Sequence, residues 1–178
     1  MYIKIILNIL LIMALAVVQL SFVSGLPGWL KFLNLILIAL VFVLAVADLK
    51  LALWWGLGAG LLLDIFSFQP FGIYMVCLGL TLLAANFLSK NFFTDRSLYS
   101  FFALIFFSSF IFEFFFIFLN YLAQPSGGGE VAFLNYNFWS SFLKQTIVNL
   151  AAVAVIFYAL NFISKRLRPV FLVRQRKL

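Results

Sequence analysis

The feature that most constrains this chain is a succession of apolar stretches, each close to the length that crosses a bilayer. Six of them follow one another, at residues 4–23, 29–47, 51–67, 72–89, 98–122 and 140–163. A helix needs about 20 apolar residues to cross the hydrocarbon core of a membrane. A soluble domain of 178 residues could not bury this much apolar surface, since 66% of the residues are hydrophobic and only 10% are charged. The pattern predicts a polytopic membrane protein.

The apolar residues within these stretches are continuous, which predicts helices. A membrane barrel strand alternates apolar and polar residues over about 10 positions, whereas LILIALVFVLAVA at 35–47 does not alternate. We expect an all-α bundle of about six transmembrane helices, forming one domain over residues 1–164 and followed by a basic tail over residues 165–178. The first stretch is longer than the apolar core of a signal peptide, so we expect a retained helix.

Basic residues predict the orientation of the bundle. Lysine and arginine collect in the cytoplasmic segments of membrane proteins. The tail is rich in them, at Lys165, Arg166, Arg168, Arg174, Arg176 and Lys177. Six spans place both termini on one side, so the tail predicts that both are cytoplasmic. We expect the tail to bind anionic lipids and not nucleic acid. Contact between the tail and a cytoplasmic protein is the alternative.

The residues needed for common catalytic and metal sites are scarce. The chain has no histidine, which is the most frequent general base and metal ligand, and a single cysteine, Cys77, inside an apolar run. The glycine run GGGE at 127–130 is not followed by the Lys-Ser/Thr of a phosphate-binding loop and predicts a flexible connection. We therefore expect no enzyme activity, cofactor or metal. An intramembrane acid enzyme using Asp64 and Glu113 is the formal alternative.

Three charged residues lie at membrane depth within the predicted spans, namely Asp64, Glu113 and Lys144. Each costs at least about 2.5 to 3.5 kcal/mol at membrane depth, so such groups usually face a cavity or a partner. A helical rise of about 1.5 Å per residue places both carboxylates at a similar level in the outer half of the bilayer. Lys144 enters the sixth span from that side. We expect Lys144 to approach one or both carboxylates in an intramembrane charge cluster.

Small residues lead up to the first of these carboxylates. They recur every four positions, at Ala52, Gly56, Gly60 and Asp64. Residues at this spacing share one helix face, and the Gly56-x-x-x-Gly60 pair lets a neighbouring backbone approach closely. We expect this face to form a helix interface, either within the chain or with a partner.

Two helix-breaking residues, Pro70 and Gly72, follow directly and predict a turn between the third and fourth spans. The exposed amides of such a turn are natural hydrogen-bond donors to a carboxylate. We expect Asp64 to tie this turn to the bundle.

This segment resembles the rod-shape-determining protein MreD family, whose members carry G-L-L-x-D-hydrophobic, a short turn, and then P-hydrophobic-G. The matching residues are Gly60, Leu61, Leu62, Asp64, Pro70 and Gly72. The resemblance implies a non-catalytic scaffold of the cell-elongation machinery in the bacterial plasma membrane. It also implies a fold similar to the substrate-binding subunits of energy-coupling-factor vitamin transporters. The partners it implies are an MreC-type single-pass protein and, through it, the MreB filament, a RodA-type glycosyltransferase and a penicillin-binding transpeptidase.

A substrate-binding subunit of a vitamin or small-solute transporter is the alternative function. Such a subunit needs a pocket beneath an outer loop, and the candidates for its lining are Asn135, Tyr136, Asn137 and Trp139. The same aromatic residues are typical of the membrane interface. An enclosed pocket would favour transport, whereas an exposed groove on the outside of the bundle would favour a scaffold.

Overall fold

The computed structural model describes residues 2–67, 69–91, 98–123 and 136–164, and every secondary-structure element in these ranges is a helix. The six α-helices are α1 (Tyr2–Val17), α2 (Leu35–Val46), α3 (Leu49–Phe66), α4 (Ile73–Asn91), α5 (Leu98–Ala123) and α6 (Tyr136–Ser164). Helix α1 continues into a π segment (Val18–Val23), and a 3₁₀ turn (Gly28–Phe32) precedes α2.

Four helical stretches of the described chain are long and apolar enough to cross a membrane. They are Ile5–Val23, Leu49–Phe66, Ile73–Asn91 and Ser100–Ala123. The expectation of an all-α, multi-pass membrane bundle is therefore confirmed. The apolar stretches Leu35–Val46 in α2 and Phe142–Ile156 in α6 are shorter.

Helix α2 is shorter than the predicted second span, 29–47. It has 12 residues, a length of about 18 Å at about 1.5 Å per residue. Its start is fixed by Asn34, whose side chain accepts a hydrogen bond of 3.0 Å from the Leu37 amide. A short polar side chain at this position satisfies an amide that has no partner inside the helix. The cap therefore separates α2 from the apolar residues of the 3₁₀ turn.

Helix α2 also lies in the centre of the bundle. Its side chains at Ile36, Leu37, Leu40 and Val41 are completely buried. It contacts α3, α4 and α5, so its surface faces other helices over most of its length. A helix that is apolar all round is typical of such a central position. The most uniformly apolar stretch of the sequence is thus protein core.

Helices α3, α4 and α5 pack side by side in chain order, each antiparallel to the next. Gly56 of α3 lies against Leu82 of α4, and Gly60, one turn later, lies against Met75. At the same end of α4, the ring of Tyr74 contacts that of Phe116 on α5, with centroids 5.0 Å apart. Helix α1 packs mainly on α3 and exposes large apolar side chains elsewhere.

Candidate functional site

Asp64 holds the start of α4 from the neighbouring helix. Its side chain is only 4% exposed. Oδ1 accepts a hydrogen bond of 2.9 Å from the Tyr74 amide, and Oδ2 accepts one of 3.1 Å from the Met75 amide. Both amides belong to the first turn of α4 and have no partner within their own helix. The predicted attachment of the turn to Asp64 is confirmed, and we call this arrangement the Asp64 clamp.

The position of the clamp suits a carboxylate. The N-terminus of a helix carries a partial positive charge, and both oxygens of Asp64 accept hydrogen bonds from amides of that terminus. The buried side chain of Asp64 is therefore satisfied without a basic partner.

The turn between α3 and α4 directs these amides at Asp64. Helix α3 ends where the Ser67 amide donates to the Leu63 carbonyl at 2.8 Å. The backbone at Gly72 has φ +96°, a conformation that side chains other than glycine's rarely permit. The Val76 amide then donates to the Gly72 carbonyl at 3.0 Å and begins the ladder of α4. Gly72 is thus required by the geometry of the turn.

The small-residue face of α3 is the contact surface that brings the clamp together. Ala52, Gly56 and Gly60 are all buried, and they share this face with Asp64. A Cβ atom on Gly60 would lie 2.5 Å from Cα and 2.9 Å from the nitrogen of Met75. The backbone of α4 therefore approaches as closely as glycine allows.

This contact decides between the two roles expected for the face. Helix α4 covers it at Gly60 and Gly56, where the nearest atoms belong to Met75 and Leu82. The face is an interface within the chain, and another protein cannot reach it in this structure.

The expected approach of Lys144 to the carboxylates is wrong for this structure. Its ammonium nitrogen lies over the ring of Phe32, 5.6 Å from the centroid, and that of Lys31 lies 5.4 Å from the same ring. Helix α6 packs against α5 and against the 3₁₀ turn, which carries Phe32. The clamp amides already occupy both oxygens of Asp64. The ring of Phe32 instead offers Lys144 a cation–π contact.

Glu113 lies on α5, the helix that packs on α4 beside the clamp. The ring of Tyr74, whose amide donates to Asp64, contacts the ring of Phe116, three positions after Glu113. The shared level of the two carboxylates stays a prediction.

A second polar cluster joins four segments of the chain, and sequence reasoning missed it. The Asn149 side chain is completely buried in α6. Its Oδ1 accepts a hydrogen bond of 2.9 Å from the Asn34 amide, and its Nδ2 donates to Ser109 Oγ at 3.2 Å. Gln19, in the π segment, donates to the Leu33 carbonyl at 3.0 Å and accepts from the Leu35 amide at 2.8 Å.

This cluster satisfies the backbone where the 3₁₀ turn changes into α2, a place where carbonyls and amides lack helical partners. Helices α5 and α6 carry further polar groups, because the hydroxyls of Ser108 and Thr146 are buried without a hydrogen-bond partner. The sequence signal for the cluster is the presence of uncharged amide side chains within apolar runs, at Gln19 and Asn149.

The proposed pocket-lining residues are only partly described. Trp139 is exposed and its ring lies 6.4 Å from that of Phe142. Asn135 and the basic tail, residues 165–178, lie outside the described residues, as do the side chains of Tyr136 and Asn137. An open, shallow hollow lies on the outside of α1, between side chains of this one helix, at Ile6, Ile9, Leu10, Met13, Ala14 and Val17. Its lining is entirely apolar.

The described polar groups hold helices together and do not resemble a metal site. Within the described ranges, no three His, Cys, Asp or Glu side chains are grouped as metal ligands would be. The clamp uses both oxygens of Asp64 for backbone amides, so its chemistry is structural. No family model matches the chain, and neither a curated protein nor a solved structure is significantly similar to it.

Proposed function

We propose that this chain is a non-catalytic scaffold subunit of the cell-elongation machinery, similar to MreD proteins. It binds an MreC-type single-pass protein and helps to organise lateral peptidoglycan synthesis in a bacterial plasma membrane. The observation that carries the proposal is the segment 60–72. Its residues match the motif of that family. Three of them act together at the start of α4: Gly60 allows α4 to approach closely, Asp64 accepts hydrogen bonds from its first amides, and Gly72 forms the turn.

The outer surface of the bundle supports a binding role. Helix α1 exposes the apolar side chains of Ile6, Leu10 and Met13, with a shallow hollow between side chains of this one helix. Helices associate in membranes through close packing, and a face of this kind is open to lipid or to another helix. It offers no converging hydrogen-bond groups of the kind that a polar vitamin needs.

The proposal includes six membrane crossings with both termini in the cytoplasm. Helix α2 and helix α6 supply the two crossings beyond the four long apolar helices. Helix α2 crosses with the help of the preceding 3₁₀ turn, surrounded by protein, where a short helix and irregular backbone are tolerated. The tail from residue 165 to residue 178 binds anionic lipid at the cytoplasmic face.

Affinity purification from gently solubilised native membranes tests the proposal. The expected companions are a single-pass coiled-coil protein, a RodA-type glycosyltransferase and a penicillin-binding transpeptidase. An unrelated polytopic protein with the same tag serves as the control for nonspecific recovery. Recovery of an ATPase pair with a transmembrane coupling subunit would contradict the proposal. It would make the chain the substrate-binding subunit of a solute transporter.

A further inference from the structure

Glu113 is a carboxylate near the middle of a membrane-spanning helix. The apolar stretch of α5 runs over Ser100–Ala123, so Glu113 lies well away from both of its ends. Its side chain is half-buried. An ionisable group at this depth is costly and is normally compensated by a partner group.

The described part of the chain does not compensate this carboxylate. The amides at the start of α4 are occupied by Asp64. Lys31 and Lys144 both lie over Phe32. Lys50 and Lys90 are exposed, in the first turn of α3 and the last turn of α4, at the opposite end of these helices from Asp64.

An exposed row of phenylalanines adjoins Glu113 on α5. Phe106, Phe110 and Phe114 are spaced by four residues and are each exposed on one side. On another side, Phe106 and Phe110 contact the ring of Phe142 on α6, and Phe114 stacks on Phe118 of its own helix. Phe110 lies three positions before Glu113, so the two side chains are neighbours on the helix surface. Aromatic rings beside a carboxylate favour a cation, because the ring faces attract positive charge while the carboxylate neutralises it. The chemistry of this surface is therefore complementary to a basic side chain.

We propose that Glu113, Phe110 and Phe114 form the docking point for a partner's transmembrane helix that carries a lysine or arginine near the middle of the bilayer. The basic side chain pairs with Glu113, and the apolar residues around it pack on the phenylalanines. Pairing removes the cost of the isolated charges on both helices at once, which makes the contact specific. The inference does not rest on the elongation proposal, because it defines the chemistry of the partner's helix and not its complex.

Photo-crosslinking in native membranes tests the docking point. Benzoylphenylalanine replaces Phe114, a conservative change next to Glu113, and the same analogue at Phe87 on α4 is the matched control because Phe87 is also an exposed phenylalanine. Position 114 is expected to capture one protein with a basic residue inside its transmembrane helix, and position 87 is not. Glu113→Leu should lower the capture at least about tenfold. Exchange of the charges, Glu113→Lys with the partner's basic residue changed to glutamate, should restore it.

Thermal melting in detergent separates docking from a role in folding. Because Glu113 has no compensating group in the described chain, the isolated Glu113→Leu variant should melt at the temperature of the unchanged protein or above it. A lower melting temperature would overturn the proposal. Capture of only lipid or a second copy, of a helix without a basic residue, or unchanged capture by Glu113→Leu would also overturn it.

The same captures distinguish this proposal from that of an elongation scaffold. A basic helix from another kind of complex would support the docking point and contradict the scaffold. Capture of a coiled-coil partner that is unaffected by Glu113→Leu would support the scaffold and contradict the docking point.

Discussion

At the scale of single residues, Asp64 and Asn149 show how this bundle uses polar groups. Each lies deep in apolar surroundings, and each accepts a hydrogen bond from a backbone amide at the start of a helix. An unpaired backbone amide is expensive in a membrane because no water replaces the missing partner. These side chains therefore stabilise the two places where the chain resumes a helix after a turn.

Asp64→Ala should lower the free energy of unfolding by about 2 kcal/mol or more, because it leaves two amides of α4 without acceptors. Asp64→Asn should fall between the alanine variant and the unchanged protein, since its amide group has one acceptor oxygen in place of two. Asp48→Ala is the matched control, because the Asp48 side chain makes no cap hydrogen bond at the start of α3. Melting in detergent measures all three. Equal melting temperatures for Asp64→Ala and the unchanged protein would show that the Asp64 clamp does not stabilise the bundle.

Two glycines of α3 should respond differently to alanine. A Cβ atom at Gly60 meets the backbone of Met75 at 2.5 Å, whereas one at Gly56 meets the end of the Leu82 side chain at 2.6 Å. Because a side chain can move aside more easily than a helix, Gly60→Ala should cost about 2 kcal/mol or more and Gly56→Ala clearly less. Gly79→Ala is the control, since its Cβ atom meets nothing within 4 Å. A ranking in which Gly56→Ala is the more harmful would contradict the close approach at Gly60.

At the scale of helices, the Asn149 cluster connects α6 to the start of α2 and to α5. Sequence patterns could not have revealed this connection, because the three segments are distant along the chain and hydropathy does not record which polar groups meet. The connection matters because one side chain of α6 bonds both to the backbone before α2 and to Ser109 of α5. Asn149 therefore makes a specific polar contact that holds α6 to the bundle.

Asn149→Ala should lower stability by about 1 to 2 kcal/mol, the range for hydrogen bonds between membrane helices together with the packing lost. Asn120→Ala offers a matched control, because the Asn120 side chain donates to the Phe116 carbonyl within its own helix. Hydrogen exchange at the Asn34 amide should increase only in the first variant. Similar losses of stability in both variants would mean that the interhelical hydrogen bonds of Asn149 stabilise the protein no more than the bond of Asn120 within its own helix.

At the scale of the whole molecule, hydropathy predicted the class of fold and one short segment predicted the clamp, but neither predicted the arrangement of helices. Long apolar runs give helices in a membrane whatever their neighbours, so α3, α4 and α5 begin and end close to their predicted limits. The clamp was predictable because Asp64, Pro70 and Gly72 act within one short segment. Helix α2 was predicted too long because apolar residues fill a protein core as well as a span. Lys144 was misplaced because the packing of α6 on the 3₁₀ turn depends on distant residues.

The proposed topology has a direct test at Lys31 and Lys50, which precede and follow α2. Single cysteines at these positions should be labelled by an impermeant reagent from opposite sides of the membrane, because α2 crosses between them. Cys77 is completely buried and should give little background. Labelling of both positions from the same side would mean that α2 is a re-entrant segment and that the chain crosses fewer than six times.

The central claim concerns cell elongation, and the most direct measurement is cell shape after depletion of this protein in its native host. The width of the cells and the sites of new wall synthesis, marked with a fluorescent D-amino acid, are recorded together. The account predicts that cells widen and become round while lateral insertion of new wall is lost. It also predicts that the unchanged protein restores the rods, and that Asp64→Ala restores them less well. Cells that keep their rod shape and lateral synthesis, but lose uptake of a small solute, would contradict the account.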